Sequence, residues 1–314
     1  MLENSVQSTI YDDVWRTELC DMIELVIPVV NEVFGESFPL NARIEHLPDT
    51  HEFEDVSGRM ERRTTDSCFR IYRDDGTDST YHIECQSTAD SSMLVRIFEY
   101  GVQIALDDAE ETSDGINLVI PHSAVLFLRS TSKTPDKMQV NISTPGGCVR
   151  YFVPVLKMKD YTLDSLFEKN LFMLLPFYLF FVEKSLQGCD ENPQKLRELL
   201  NDISRIAEFL STKLKQGVID TFTQRTLLRL LGEVNKKLAG KYINILEGVE
   251  EIMGGKVLEY EEKDILRRGL AMGRAEERIS SIKSLMKKMK LSAEDAMRVL
   301  DIPPAEFGKY ISLL

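Results

Sequence analysis

A chain of 314 residues with 43% hydrophobic and 28% charged side chains can fill one large core or two ordinary ones, and its composition is that of a globular protein rather than a disordered or membrane-embedded one. The formal net charge of −13, from 38 basic and 51 acidic residues, opposes general nucleic-acid binding, which rests on neutralising phosphates. Five cysteines with no CxxC pair exclude a disulfide framework and a thiolate zinc site, and point to a reducing cytoplasm.

The N-terminal residues are acidic and lack the basic start and apolar core of a signal peptide. From Val14 to Phe34 the apolar positions Met22, Leu25, Val26, Val29, Val30 and Val33 share one helical face, with Pro28 predicting a kink or a fresh start and Gly35 a stop. Glu32 lies off that stripe, free to face a site. Residues 39–59 read as a loop with a short strand-like excursion.

The stretch from Arg62 to Gln103 carries the chemistry. It reads as a strand holding Asp66, a turn at Asp74-Asp75-Gly76, and a second strand holding Glu84 and Gln86. Alternation puts His82, Glu84 and Gln86 on one strand face and Tyr81, Ile83 and Cys85 on the other, so the polar trio is expected as a surface of the sheet. A helix follows from Met93, with Arg96, Glu99, Tyr100 and Gln103 at i, i+3, i+4 and i+7 on a single face. Two acids from neighbouring strands suit Mg²⁺, which takes oxygen ligands and keeps several waters. Asp66 and Glu84 are the candidate carboxylates, and the backbone carbonyl of Cys85 is a third donor. His82 has no second histidine at ligand spacing, so a structural or surface role is expected of it.

Further strands are predicted over 116–130, 137–143 and 149–158, with Pro145-Gly146-Gly147 as a turn. Helices follow from Thr162, including the apolar run Leu171–Val182, which falls short of the roughly 20 residues needed to cross a bilayer. Asn192 is a second helix start, and a longer charged helix is expected before Lys290. Two short helices flanking Ile302-Pro303-Pro304 close the chain. The charge is uneven: residues 1–60 hold 13 acids and 3 basic residues, whereas 267–290 holds 8 basic residues and 2 acids. Lys283, Lys287, Lys288 and Lys290 read as a solvated helix face.

Three segments resemble the PD-(D/E)XK nuclease superfamily, and more narrowly the recombination-promoting nuclease and putative transposase group. They are Arg63-Thr64-Thr65-Asp66, Ile83-Glu84-Cys85-Gln86-Ser87 and Arg96-Ile97-Phe98-Glu99-Tyr100. The resemblance implies an α/β fold with a restriction-endonuclease-like αβββαβ core and a mixed sheet over 1–160. A helical region over 161–255 and a charged helix with a short helical C-terminal appendage over 256–314 would follow. It also implies Mg²⁺-dependent, or Mn²⁺-dependent, cleavage of DNA linked to recombination or transposition. In that scheme Asp66, Glu84 and Gln86 are catalytic. Arg63, Arg96, Tyr100, Gln103 and Glu32 support them. Gln86 stands where the superfamily usually has lysine; it can hydrogen-bond a water but brings no charge and is no base. The competing expectation is therefore an inactive nuclease-fold scaffold acting in protein interaction. Expected partners are DNA and a second copy through the helical region, without a membrane.

Overall fold

Pro28 divides the first apolar stretch. The computed structural model describes residues 10–47, 50–54, 60–64 (backbone only), 67–88, 92–253, 282, 286, 291–300 and 307. Helix α1 (Ile10–Asp21) gives way to one 3₁₀ turn, and α2 (Ile27–Phe34) starts anew with Pro28 in its first turn, where a missing N–H costs no helical bond. Gly35 ends α2 at φ 68°, a conformation that favours a residue without Cβ. Of the stripe read from the sequence, Met22, Leu25, Val26, Val29 and Val30 are buried and Val33 is half-buried; Val14, Trp15 and Leu19 of α1 are buried as well.

After α2 come β1 (Ile44–His46), β2 (Thr50–Glu54), β3 (Met60–Thr64), β4 (Cys68–Tyr72), β5 (Asp78–Gln86), α3 (Met93–Asp107), β6 (Glu110–Glu111), β7 (Ile116–Asn117), β8 (His122–Phe127), β9 (Lys137–Thr144) and β10 (Gly147–Lys157). Six strands form a mixed sheet in the order β1-β4-β5-β8-β10-β9, while β2-β3 and β6-β7 are separate two-stranded pairs. Strands β1, β4 and β5 are antiparallel neighbours; β8 runs parallel to β5, and β10 parallel to β8. The β4–β5 turn uses Gly76 at φ 85°, with the Asp75 carboxylate accepting from the Thr77 N–H at 2.9 Å.

Each sheet face has its own cover. On one, Tyr81 meets Phe34 and Phe38 at ring separations of 5.2 and 6.1 Å, beside Phe69 and His122. On the other, Met93 and Ile97 of α3 pack on Val125, Phe127 and Val153.

The described helices that follow, up to residue 253, are α4 (Leu163–Glu168), α5 (Tyr178–Val182), α6 (Leu186–Glu191), α7 (Pro193–Lys215), α8 (Thr221–Ala239) and α9 (residues 243–253). Thr162 and Asn192 cap α4 and α7 with their side chains, as their positions in the sequence suggest. The apolar run 171–182 departs from the single helix its composition suggests. Asn170 at φ 52° precedes it, Pro176 holds residues 172–177 in a 3₁₀ helix, and only then does α5 begin. Residues 171–180 are nonetheless all buried, and α8 packs against this segment and α1. Residues 1–254 therefore form one compact unit containing both the sheet and the helical region. A second unit, 255–314, contains α10 (Ala293–Val299), capped by Ser292 and packed through Ala296 and Met297 on Ile282. The charged helix expected before Lys290, its lysines and the Pro303-Pro304 break lie outside the described residues. Among the described residues, no helix is long and apolar enough to cross a membrane.

One buried group works against this packing. Glu18 of α1 is 0% exposed and neither carboxylate oxygen has a hydrogen-bond partner, so burial pushes its pKa well above the usual range. The folded chain then holds this proton more tightly than the unfolded chain. Its contribution is fully present below the unfolded value, near 4.3, and stability falls as pH rises from there toward the folded value, by up to about 1.4 kcal/mol per pH unit. Glu18→Gln should flatten that part of the slope in urea melts taken from pH 4 to 8; an unchanged slope would show that Glu18 is ionised at no cost.

Candidate functional site

Strand β5 lies between β4 and β8, with Phe34 and Phe38 on one of its faces and α3 on the other, and the usual filling for a strand so covered is apolar on both sides. Tyr81, Ile83 and Cys85 obey this. His82 and Glu84, on the opposite face beneath α3, do not: they are 0% and 3% exposed. The polar trio is thus not a solvated surface of the sheet, because α3 covers it; only Gln86, at the strand end, is half-buried. A buried carboxylate needs a donor. His82 Nε2 supplies it, 2.9 Å from Glu84 Oε1. The imidazole is set in turn by the Ser123 hydroxyl, 3.5 Å from Nδ1, and by Tyr100 of α3, whose ring meets it edge-on at 5.8 Å.

Ser67 anchors the chain next to Asp66. Its Oγ accepts from the Ile83 N–H at 3.1 Å and donates to the Ile83 carbonyl at 2.5 Å, replacing a backbone partner just beyond the last β4–β5 pair, Cys68 with His82. The pairing also fixes where neighbouring peptide groups point. Ile83 faces β4, whereas the Gln86 carbonyl accepts from Leu128 on the β8 side, so by alternation the Cys85 carbonyl faces the β4 side. Cys68, which shares the His82 face of the sheet, has its thiol pushed up to about 12 by burial and is no nucleophile near neutral pH.

The other sequence candidates meet different neighbours. Tyr100 is buried against His82, Arg96 is half-buried with its guanidinium 3.9 Å from the Met93 sulfur, and Glu99 is exposed. Gln103 donates to Asp107 one turn along at 2.7 Å. The single polar face expected of α3 is thus split, because the helix buries Tyr100 and turns Glu99 outward. Glu32 accepts from Lys169 at 2.6 Å and Tyr161 at 3.2 Å, beside a cleft of about 440 Å³ lined by Pro28, Asn31, Phe38 and Leu40. Burial, then the Glu32 charge, drives the Tyr161 hydroxyl above its ordinary range. Asp66 and the Arg63 side chain lie outside the described residues; the Arg63 backbone is in β3, opposite His51. Among the described residues, no three His, Cys, Asp or Glu side chains come together as metal ligands.

The structural role expected of His82 is that of a buried partner to Glu84, while Ser67 and Ser123 escape the sequence reading. The spacing of His82 and Glu84, two apart on one strand, was the available signal. Ser67 gave none, since a serine hydroxyl standing in for a strand partner has no pattern of its own. At the far end of the site, Arg129 clamps Glu183 through two 2.7 Å hydrogen bonds and reaches the Ser87 carbonyl at 3.4 Å, tying the ends of β5 and β8 to the helical region.

Ser67→Ala strips Ile83 of its buried partner on both peptide groups and should destabilise the chain by about 1–3 kcal/mol. His82→Leu removes the 2.9 Å hydrogen bond to the buried Glu84 and should cost about 1–3 kcal/mol. Chemical denaturation measures both; losses under 0.5 kcal/mol, roughly the scale of an ordinary surface substitution, would contradict this packing.

No family model, curated protein or solved structure matches the chain.

Proposed function

We propose that the chain is a metal-dependent phosphodiester hydrolase of the nuclease type acting on DNA. The observation that carries the reading is Glu84, a carboxylate buried on the central strand and oriented by His82, where an apolar residue would pack without cost. The element order supports it. With the separate pairs β2-β3 and β6-β7 set aside, a helix, the antiparallel series β1-β4-β5, helix α3 and the parallel strand β8 are compatible with an αβββαβ core, with Glu84 on the third strand of the series.

The donor chemistry fits a hard divalent cation. Glu84, which accepts from His82 through Oε1, would be one carboxylate ligand and Asp66 the second, with the Cys85 carbonyl, directed toward the β4 side, as another oxygen donor. Bound there, Mg²⁺ or Mn²⁺ would supply charge neutralisation and a water of lowered pKa. His82 positions Glu84. Gln86 hydrogen-bonds the attacking water, and Arg96 offers a cation to the phosphate. Nicking of supercoiled plasmid with Mg²⁺ or Mn²⁺ tests this: wild type should cut, Asp66→Ala and Glu84→Ala should fall to background, and His82→Asn should lose about 10–100-fold as a positioning residue. Cutting that survives both carboxylate substitutions would refute the assignment.

A second reading, a non-catalytic scaffold, is favoured by the uncharged Gln86 in the lysine position and by the net charge of −13. Folded wild type that cuts with neither metal would select it.

A further inference from the structure

The six-stranded sheet protects one of its edges and leaves the other open. At one end β1 is three residues long and carries Glu45, two devices that discourage pairing with another chain. At the other end, among the described strands, β9 pairs only with β10 and offers eight residues whose one charge is Lys137 at its start. The chain has 51 acidic residues, yet none falls between Lys137 and Val153.

The β9–β10 hairpin is two-faced. Met138, Val140 and Ile142 stand opposite Val153, Tyr151 and Val149. The inner members of this apolar stripe pack against α3, through Met138, Val140, Tyr151 and Val153. The stripe then runs on past that cover to Ile142, half-buried, and Val149, 61% exposed. The ladder shows which peptide groups are open. The Asp136 carbonyl accepts from the Val155 N–H, so Asp136, Met138, Val140 and Ile142 face β10, while Lys137, Gln139, Asn141 and Ser143 face outward. Pro154, without an N–H, stands opposite Lys137, as this parity requires.

We propose that β9 is a homodimer interface: a second copy adds its own β9 antiparallel to the first, about a two-fold axis at Val140. An outward row of N–H and C=O groups demands an extended strand as occupant. A two-fold requires the strand to complement itself, and β9 does so in one register. Centred on Val140, Met138 meets Ile142 of the second copy, Val140 meets Val140, Gln139 meets Asn141, and Lys137 meets Ser143. All three apolar residues then match apolar partners and no like charges oppose. Moving the centre by one residue either way sets Ile142 against Asp136, or Met138 against Thr144. The acid-free hairpin is also where two chains of charge −13 meet with least repulsion. This interface lies in the sheet and does not depend on the metal-site reading.

Light scattering of the full-length chain over a concentration series tests it. Wild type should reach twice the 35.9 kDa chain mass. Asn141→Pro, which removes an outward N–H that β10 does not use, and Ile142→Lys should each give the monomer mass with unchanged far-UV circular dichroism. The register has its own test, which survives if either variant fails to fold: Val140→Cys, with Cys20 and Cys148 changed to Ser, should form a disulfide-linked dimer, since directly opposed residues of a non-hydrogen-bonded pair lie about 4.5 Å apart at Cα. A wild type monomeric at every concentration, a dimer that persists in both folded variants, or a dimeric Val140→Cys chain that does not cross-link would each overturn the proposal.

Discussion

A carboxylate in the middle of a covered sheet is the constraint on which the rest depends. Glu84 is tolerable at 3% exposure because His82, on the same strand face, meets it at 2.9 Å, and because β4, β8 and α3 hold that face in place. The arrangement leaves no freedom of register. A slip of one residue in β5 would exchange His82 and Glu84 for Tyr81, Ile83 and Cys85, putting the carboxylate against the aromatic cluster of Phe34, Phe38 and Phe69. Ser67 guards against this by binding Ile83 through its side chain at the point where the β4 ladder ends. Polar and apolar demands thus specify one pairing, and that pairing determines where Glu84 points.

Much of the fold was legible from local chemistry. Pro28, Gly35, Thr162, Asn192 and the Asp-Asp-Gly turn act through their own backbone preferences, and the structure uses each at its expected place. The alternation of β5 was equally readable, but not what covers it. Whether His82 and Glu84 face water or α3 depends on contacts distant in sequence. For the same reason the apolar composition of 171–182 suggests a single helix: burial explains that composition, while Asn170 and Pro176 shape the backbone. For Glu32 and Gln103, helical spacing gives a direction around the axis and says nothing of the partner met there. Each found a nearer one, Lys169 and Asp107.

The helical half is tied to the sheet at the ends of β5 and β8. Arg129 and Glu183 join the ends of β5 and β8 to the segment after α5, with Arg129 also 4.7 Å above the Phe180 ring. Aromatic contacts from Tyr11 of α1 to Phe180 continue that seam. The sheet's centre is therefore shielded and polar, and its β9 edge open and nearly uncharged. Both depart from what stability alone would select.

Titration calorimetry of Mn²⁺ into the full-length chain tests the central claim most directly, because it reads the Glu84 site without requiring a substrate. Wild type should bind with a heat that Glu84→Gln abolishes while the circular dichroism stays unchanged. A folded wild type without measurable binding, or binding that Glu84→Gln leaves intact, would contradict the account.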